Sequence, residues 1–220
     1  MSVHNLPAQS TPFVGRSQEL VEIATLFDDP ACRLVTLLGP GGIGKTRLAL
    51  ETAAMLETAY PDGVYYVPLQ SISSPDHIVS TIAEAMGLRF YAGCDTREQL
   101  LDRFCEKRLF LTFDNFEHVV DGAVLIADIL AMSPDVKVLV TSQVALNLRE
   151  EWIYSVKGMT FPAADGIDSL DEYSAIQLFI QGARRARADF SADEDPASII
   201  RICQALEGIP LGIELAAAWV

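Results

Sequence analysis

The sequence predicts an α/β fold: a five-stranded parallel sheet between helices, followed by a smaller helical piece. Three observations point there. Apolar runs rich in β-branched residues alternate with helical periodicities as far as residue 156. One of those runs, Arg33-Leu34-Val35-Thr36-Leu37-Leu38, leads directly into Gly39-Pro40-Gly41-Gly42-Ile43-Gly44-Lys45-Thr46 and then a helix. From Ala163 onward only the helical period remains. The domains are accordingly read as 1–163 and 164–220.

Residues 39–46 have the form G-x-x-x-x-G-K-[ST], a phosphate-binding loop. Gly39, Gly41, Gly42, Ile43 and Gly44 would wrap a polyphosphate with backbone N–H groups, which is why side chains are kept small there. Lys45 would supply a cation to the β- and γ-phosphates and Thr46 a hydroxyl to Mg²⁺. The helix expected from Lys45 to about Tyr60, with Arg47 in its first turn, would point its positive end at the anion. The fold class is thus that of a P-loop NTPase, with ATP or ADP and Mg²⁺ as expected cofactors.

The remaining elements follow in order. Ser17 is placed as the N-cap of a helix carrying Leu20, Ile23, Ala24 and Phe27 on one face. Pro61-Asp62-Gly63 makes a turn before a strand, Val64 to Leu69. Ser74-Pro75 opens a helix through Ile78, Ile82 and Met86 that Gly87 closes. Asp95 caps a helix leading into Leu100, Leu101 and Phe104. Strands are expected at Leu109–Asp114, Val136–Thr141 and Trp152–Val156, with a helix from about Gly122 to Met132. Beyond 163, helices are expected through Leu170 to Ile180, from Asp195-Pro196 to Leu206, and from Pro210 to Val220. That last helix is apolar at Leu211, Leu215, Ala216 and Trp219 and has no polar finish, so the helical domain reads as truncated and the chain as part of a longer protein.

Bulk composition narrows the function. The 220 residues are 50% hydrophobic and carry 16 basic against 30 acidic side chains, a net charge of −14. Such a surface repels nucleic-acid phosphates, so no direct nucleic-acid contact is expected. The four cysteines are scattered without metal-ligand spacing, which suits free thiols in a reducing cytosol. No leader or membrane span is legible, so a cytoplasmic location is expected.

The third strand ends in Asp114, placing a carboxylate where it can hold Mg²⁺ or its water, or else cap the next turn. Many phosphate-loop ATPases have an acidic residue directly after that aspartate; here it is Asn115, which cannot take a proton. Glu117 and His118 are the nearest candidates. Glu117 could orient water, and packing or hydrogen bonding within the turn is the competing role of both. The catalytic set is therefore Lys45, Asp114 and Glu117, with Thr46 and Asp114 toward the metal. Gln143, after the fourth strand, could donate to a γ-phosphate but carries no charge. No N-K-x-D stretch of the kind that reads guanine is present, which favours adenine.

Five separated motifs then coincide: Phe13-Val14-Gly15-Arg16, Gly39 to Thr46, Phe113-Asp114-Asn115-Phe116-Glu117-His118, Val140-Thr141-Ser142, and Glu207 to Ala218 beginning Glu-Gly-Ile-Pro-Leu-Gly. In this order they resemble the STAND class of signalling ATPases, and most of all the NB-ARC-like ATPase module of large bacterial transcriptional regulators. The resemblance implies a nucleotide switch. Val14 and Arg16 would flank adenine, Pro210 would close over it, and Gly42 to Arg47 would hold the phosphates. Exchange of ADP for ATP would release other domains of the same longer protein and permit homo-oligomerisation. Relatives usually have Arg after Thr-Ser, where this chain has Gln143. The function expected is a regulatory switch module with at most slow Mg²⁺-dependent ATPase activity. The alternatives are an active ATPase or phosphotransferase using Glu117, and a scaffold with structural ADP.

Overall fold

The computed structural model describes residues 3–163, 170–192 and 194–220. The expected first residue of the helical domain, at 164, lies outside them. Five parallel strands form one sheet: β1 (Leu34–Leu38), β2 (Gly63–Pro68), β3 (Leu109–Asp114), β4 (Lys137–Ser142) and β5 (Glu151–Ser155), in the order β2-β3-β4-β1-β5. The expected α/β class is borne out. β3 is buried at every residue and β1 and β4 at nearly every one. That is why these strands read as unbroken apolar runs rather than alternating ones. β5, at the edge, exposes Trp152 and Ile153.

α1 (Ser17–Asp28) precedes the sheet, and the helices between its strands are α2 (Lys45–Met55), α3 (Ile78–Met86), α4 (Thr96–Phe104) and α5 (Ala123–Met132). Ser17, expected as a cap, is instead the first helical residue of α1. α2 also ends sooner than expected, at Met55, and a short 3₁₀ turn follows at Glu57–Ala59. The tighter turn delivers Tyr60 inward, where its ring lies 5.2 Å from that of Phe110 and is 4% exposed. Pro75 likewise begins a 3₁₀ turn, with the Ser74 hydroxyl accepting from Asp76 N, before α3 starts at Ile78. Asp95 caps α4 as expected, its Oδ1 accepting from Arg97 N at 2.7 Å and Glu98 N at 3.2 Å.

Contacts divide the chain into two compact units. The first comprises Met1–Gln9, Glu19–Gly39 and Lys45–Ser155, and holds the whole sheet. Its core includes Ile82, Leu100, Phe104, Leu111, Phe113, Phe116, Ile126, Ile129 and Val138, all fully buried. The second comprises Ser10–Gln18, Pro40–Gly44 and Val156–Val220. It contains α6 (Ser174–Ala186), α7 (Pro196–Ala205) and α8 (Pro210–Ala217), packed around Ile176, Phe179, Ala183, Ile199, Cys203 and Ile213. Asp195 Oδ1 caps α7 by accepting from Ser198 N at 3.1 Å. Among the described residues, no helix is long and apolar enough to cross a membrane.

Candidate functional site

In the first unit, strand order decides which chain ends meet. β3, β4 and β1 are neighbours and parallel, so Asp114, Ser142 and Leu38 finish at the same edge of the sheet. Gly39 follows β1, its N donating to Ser142 O at 3.3 Å. Lys45 opens α2, is 8% exposed, and donates from Nζ to Gly39 O at 2.7 Å. Burial pushes its pKa down, and the carboxylates of Glu117 and Asp114 act in the opposite direction. Arg47 lies in the same first turn of α2, half-buried.

Asp114, 3% exposed, takes three hydroxyl donors. Thr46 Oγ1 and Thr141 Oγ1 donate to Oδ1 at 2.7 and 2.6 Å, and the Tyr66 hydroxyl donates to Oδ2 at 2.8 Å. Hydroxyl donors satisfy the oxygens of a buried carboxyl group without adding an opposite charge. Burial raises the pKa of the Tyr66 phenol, and the Asp114 charge and the hydrogen bond raise it further.

The chain turns sharply after β3. Asn115 adopts the left-handed conformation, φ 62° and ψ 48°, which Asn tolerates better than most residues. Its N donates to Thr141 Oγ1 at 3.0 Å. This turn brings Glu117 against Gln143, whose Nε2 donates to Glu117 Oε1 at 3.0 Å, while Asn115 Nδ2 reaches the same oxygen at 3.5 Å. Glu117 Oε2 is buried and has no hydrogen-bond partner among the described residues.

In the second unit, Pro40–Gly44 packs with two distant segments. Arg16, 7% exposed at φ 59°, donates from Nη2 to Ile43 O at 2.7 Å and to Lys157 O at 3.0 Å. Pro210 opens α8, and the next residue, Leu211, donates from N to Gly42 O at 3.2 Å. Gly42 and Gly44 have φ of 75° and 92°. The conformation favours glycine at 42, and a Cβ there would also crowd the Cβ of Leu211 at 3.0 Å. Val14 packs against the buried cluster around Met159 and Phe179.

The expected residues therefore fall into two groups: Gly39, Lys45, Thr46, Arg47, Asp114, Glu117 and Gln143 in the first unit, and Val14, Arg16, Gly41, Gly42, Ile43, Gly44 and Pro210 in the second. Two hydroxyls on Asp114 went unread in the sequence. Tyr66 looks like any aromatic of a strand, and Thr141 like its end; only strand register brings them to Asp114. Among the described residues, no group of three or more His, Cys, Asp or Glu could hold a metal ion. Thr46 and Asp114 still offer two hard oxygen ligands, which fits Mg²⁺, an ion that keeps several waters and takes further ligands from phosphate.

No family model matches the chain. It is 35% identical over 217 residues, 98% of its length, to an uncharacterized protein of Mycobacterium tuberculosis, and covers 52% of that protein. It is 36% identical over 190 residues to a protein of the same species named as an HTH-type transcriptional regulator, covering 20% of it. The chain thus spans about half the length of the first of these relatives and a fifth of the second. Among solved structures, it resembles a Signal Transduction ATPase with Numerous Domains (STAND) protein with a tetratricopeptide repeat sensor from Pyrococcus horikoshii. The TM-score is 0.55 at 17% identity, over 96% of this chain and 30% of that one. The fold is that of P-loop ATPases, and the resemblance to STAND ATPases and to bacterial transcriptional regulators read from the motifs is borne out.

Proposed function

We propose that the chain is an adenine-nucleotide-binding regulatory module of a larger, signal-responsive transcriptional regulator. The observation that carries this is the buried Asp114 carboxylate, hydrogen-bonded to the Thr46 hydroxyl at 2.7 Å beside a lysine that opens α2. A lysine, a hydroxyl and a carboxylate at that point after a glycine loop suit a nucleotide polyphosphate and its Mg²⁺. In this reading the loop amides and Lys45 bind the phosphates, Thr46 and Asp114 face the Mg²⁺, and Val14, Arg16 and Pro210 take the base. Bound Mg²⁺ would neutralise phosphate charge. The sensing and output regions belong to other domains of the longer protein, and exchange of ADP for ATP drives homo-oligomerisation through them.

Slow hydrolysis is part of the same reading. Asn115 cannot accept a proton, and Gln143 is engaged with Glu117 rather than bearing a cation. Turnover by the isolated chain is expected well below the ~10 s⁻¹ of a typical enzyme. A rate at or above that would contradict the switch.

A second reading, an active ATPase using Glu117, is favoured by one observation: Glu117 Oε2 is buried with no hydrogen-bond partner among the described residues. Such an oxygen is suited to hold a water. Glu117→Gln is expected to lower the measured hydrolysis roughly a hundredfold, the lower end of the effect of a general base, while ADP affinity stays unchanged. Hydrolysis indifferent to the substitution removes Glu117 from the chemistry.

A further inference from the structure

We infer that Tyr66 is a positioning residue for the Mg²⁺ end of the site: its hydroxyl, 2.8 Å from Asp114 Oδ2, fixes the carboxylate so that Oδ1 stays beside the Thr46 hydroxyl. The inference rests on the proposed reading of Thr46 and Asp114 and adds a residue that no phosphate-loop pattern contains. Three features of the first unit support it.

The first is donor arithmetic at Asp114. Oδ1 receives both Thr46 and Thr141, whereas among the described residues Oδ2 receives Tyr66 alone. At 3% exposure there is little water to replace that donor. Without the phenol, Oδ2 would be a buried acceptor with nothing to accept, and the carboxylate would rotate about its last torsion toward the two threonines. The oxygen offered beside Thr46 would then no longer be fixed.

The second feature is register. β2 pairs with β3 so that Pro68 lies opposite Asp114 and Tyr66 opposite Thr112. The phenol therefore reaches along the sheet, from two residues back, to the carboxylate at the strand end. A shorter hydroxyl side chain at 66 could not span that offset.

The third is that the Tyr66 backbone is itself held. β2 is an edge strand, and Asn5 occupies the place of a further strand beside it. Asn5 Oδ1 accepts from Tyr66 N at 2.6 Å, and its Nδ2 donates to Tyr66 O at 2.8 Å and to Ala85 O at 3.1 Å. Val64 N donates to Val3 O at 3.0 Å just before it. A side chain meant only to fill space would not need its main chain pinned; one that aims a hydroxyl gains from it.

The test is Tyr66→Phe in the full chain, which keeps the ring and removes only the hydroxyl. ADP binding is titrated in EDTA and at rising Mg²⁺, and thermal melting is recorded in EDTA. The expected result is a midpoint for the Mg²⁺-dependent gain in ADP affinity roughly tenfold higher than in the unsubstituted chain, with ADP affinity in EDTA unchanged and the melting temperature lowered only by the few degrees that an unpaired Oδ2 costs. An unshifted Mg²⁺ midpoint overturns the inference. So does a loss of affinity that is equal in EDTA and in Mg²⁺, which is what a purely structural role would give. If the unsubstituted chain binds ADP and gains nothing from Mg²⁺, the metal assignment and this inference fall together. An Mg²⁺ gain that Tyr66→Phe leaves intact sinks the inference alone.

Discussion

Lys45→Ala is expected to weaken ADP binding roughly a hundredfold, about 3 kcal/mol, the range of a hydrogen bond to a charged group lost from a site that keeps its other contacts. The size follows from where the ammonium sits. It is 8% exposed, so water screens it poorly, and it donates to the carbonyl of Gly39, the first residue of the loop. Burial favours loss of the proton, and Asp114 and Glu117 work against that loss. A phosphate arriving there would add a further negative charge beside the buried ammonium. Calorimetry on the substituted and unsubstituted chains, at matched ionic strength, reads the effect directly. Equal affinities would remove Lys45 from the site.

The largest expected effect on stability is at Phe110. Its ring is fully buried on β3 and meets Phe27 edge-on, with centroids 5.0 Å apart and planes at 81°; Tyr60 lies on another side at 5.2 Å. Phe110→Ala would leave a cavity under the central strands that β3, buried at every residue, has no freedom to close. The expected loss is roughly 3–5 kcal/mol, with a melting temperature lower by roughly 10 °C. The ring does not contact Asp114 or Lys45 through any hydrogen bond, so ADP affinity of the chain that remains folded should be kept. A change in melting temperature no larger than that of a surface substitution would contradict this view of the core.

What was legible in the sequence was whatever is local. The strands declared themselves because a doubly covered parallel sheet needs continuous apolar runs, and Leu109 to Phe113 is such a run. Asp95 and Gly87 marked helix ends because capping and the left-handed turn depend on a few neighbouring residues. The phosphate loop was legible for the same reason. The illegible part is long-range. Arg16 donates to Ile43 O across 27 positions and to Lys157 O across 141. No periodicity reports such pairs; only the motif resemblance associates Val14 and Arg16 with the glycine loop and Pro210, and the grouping of Ser10–Gln18 and Pro40–Gly44 with the C-terminal helices in one compact unit comes from the structure. Gln143, which the sequence offers as a possible donor toward phosphate, has its amide on Glu117 Oε1. That pairing depends on the left-handed turn at Asn115, which the sequence permits but does not announce. Tyr66 was missed because a tyrosine in an apolar strand looks like packing until register puts its hydroxyl on a carboxylate.

Equilibrium dialysis of the full chain against labelled ADP with Mg²⁺ tests the central claim most directly. The account predicts saturable binding of one ADP per chain, displaced by ATP and left in place by GTP. Binding that does not saturate, or that GTP displaces as readily as ATP, would contradict it.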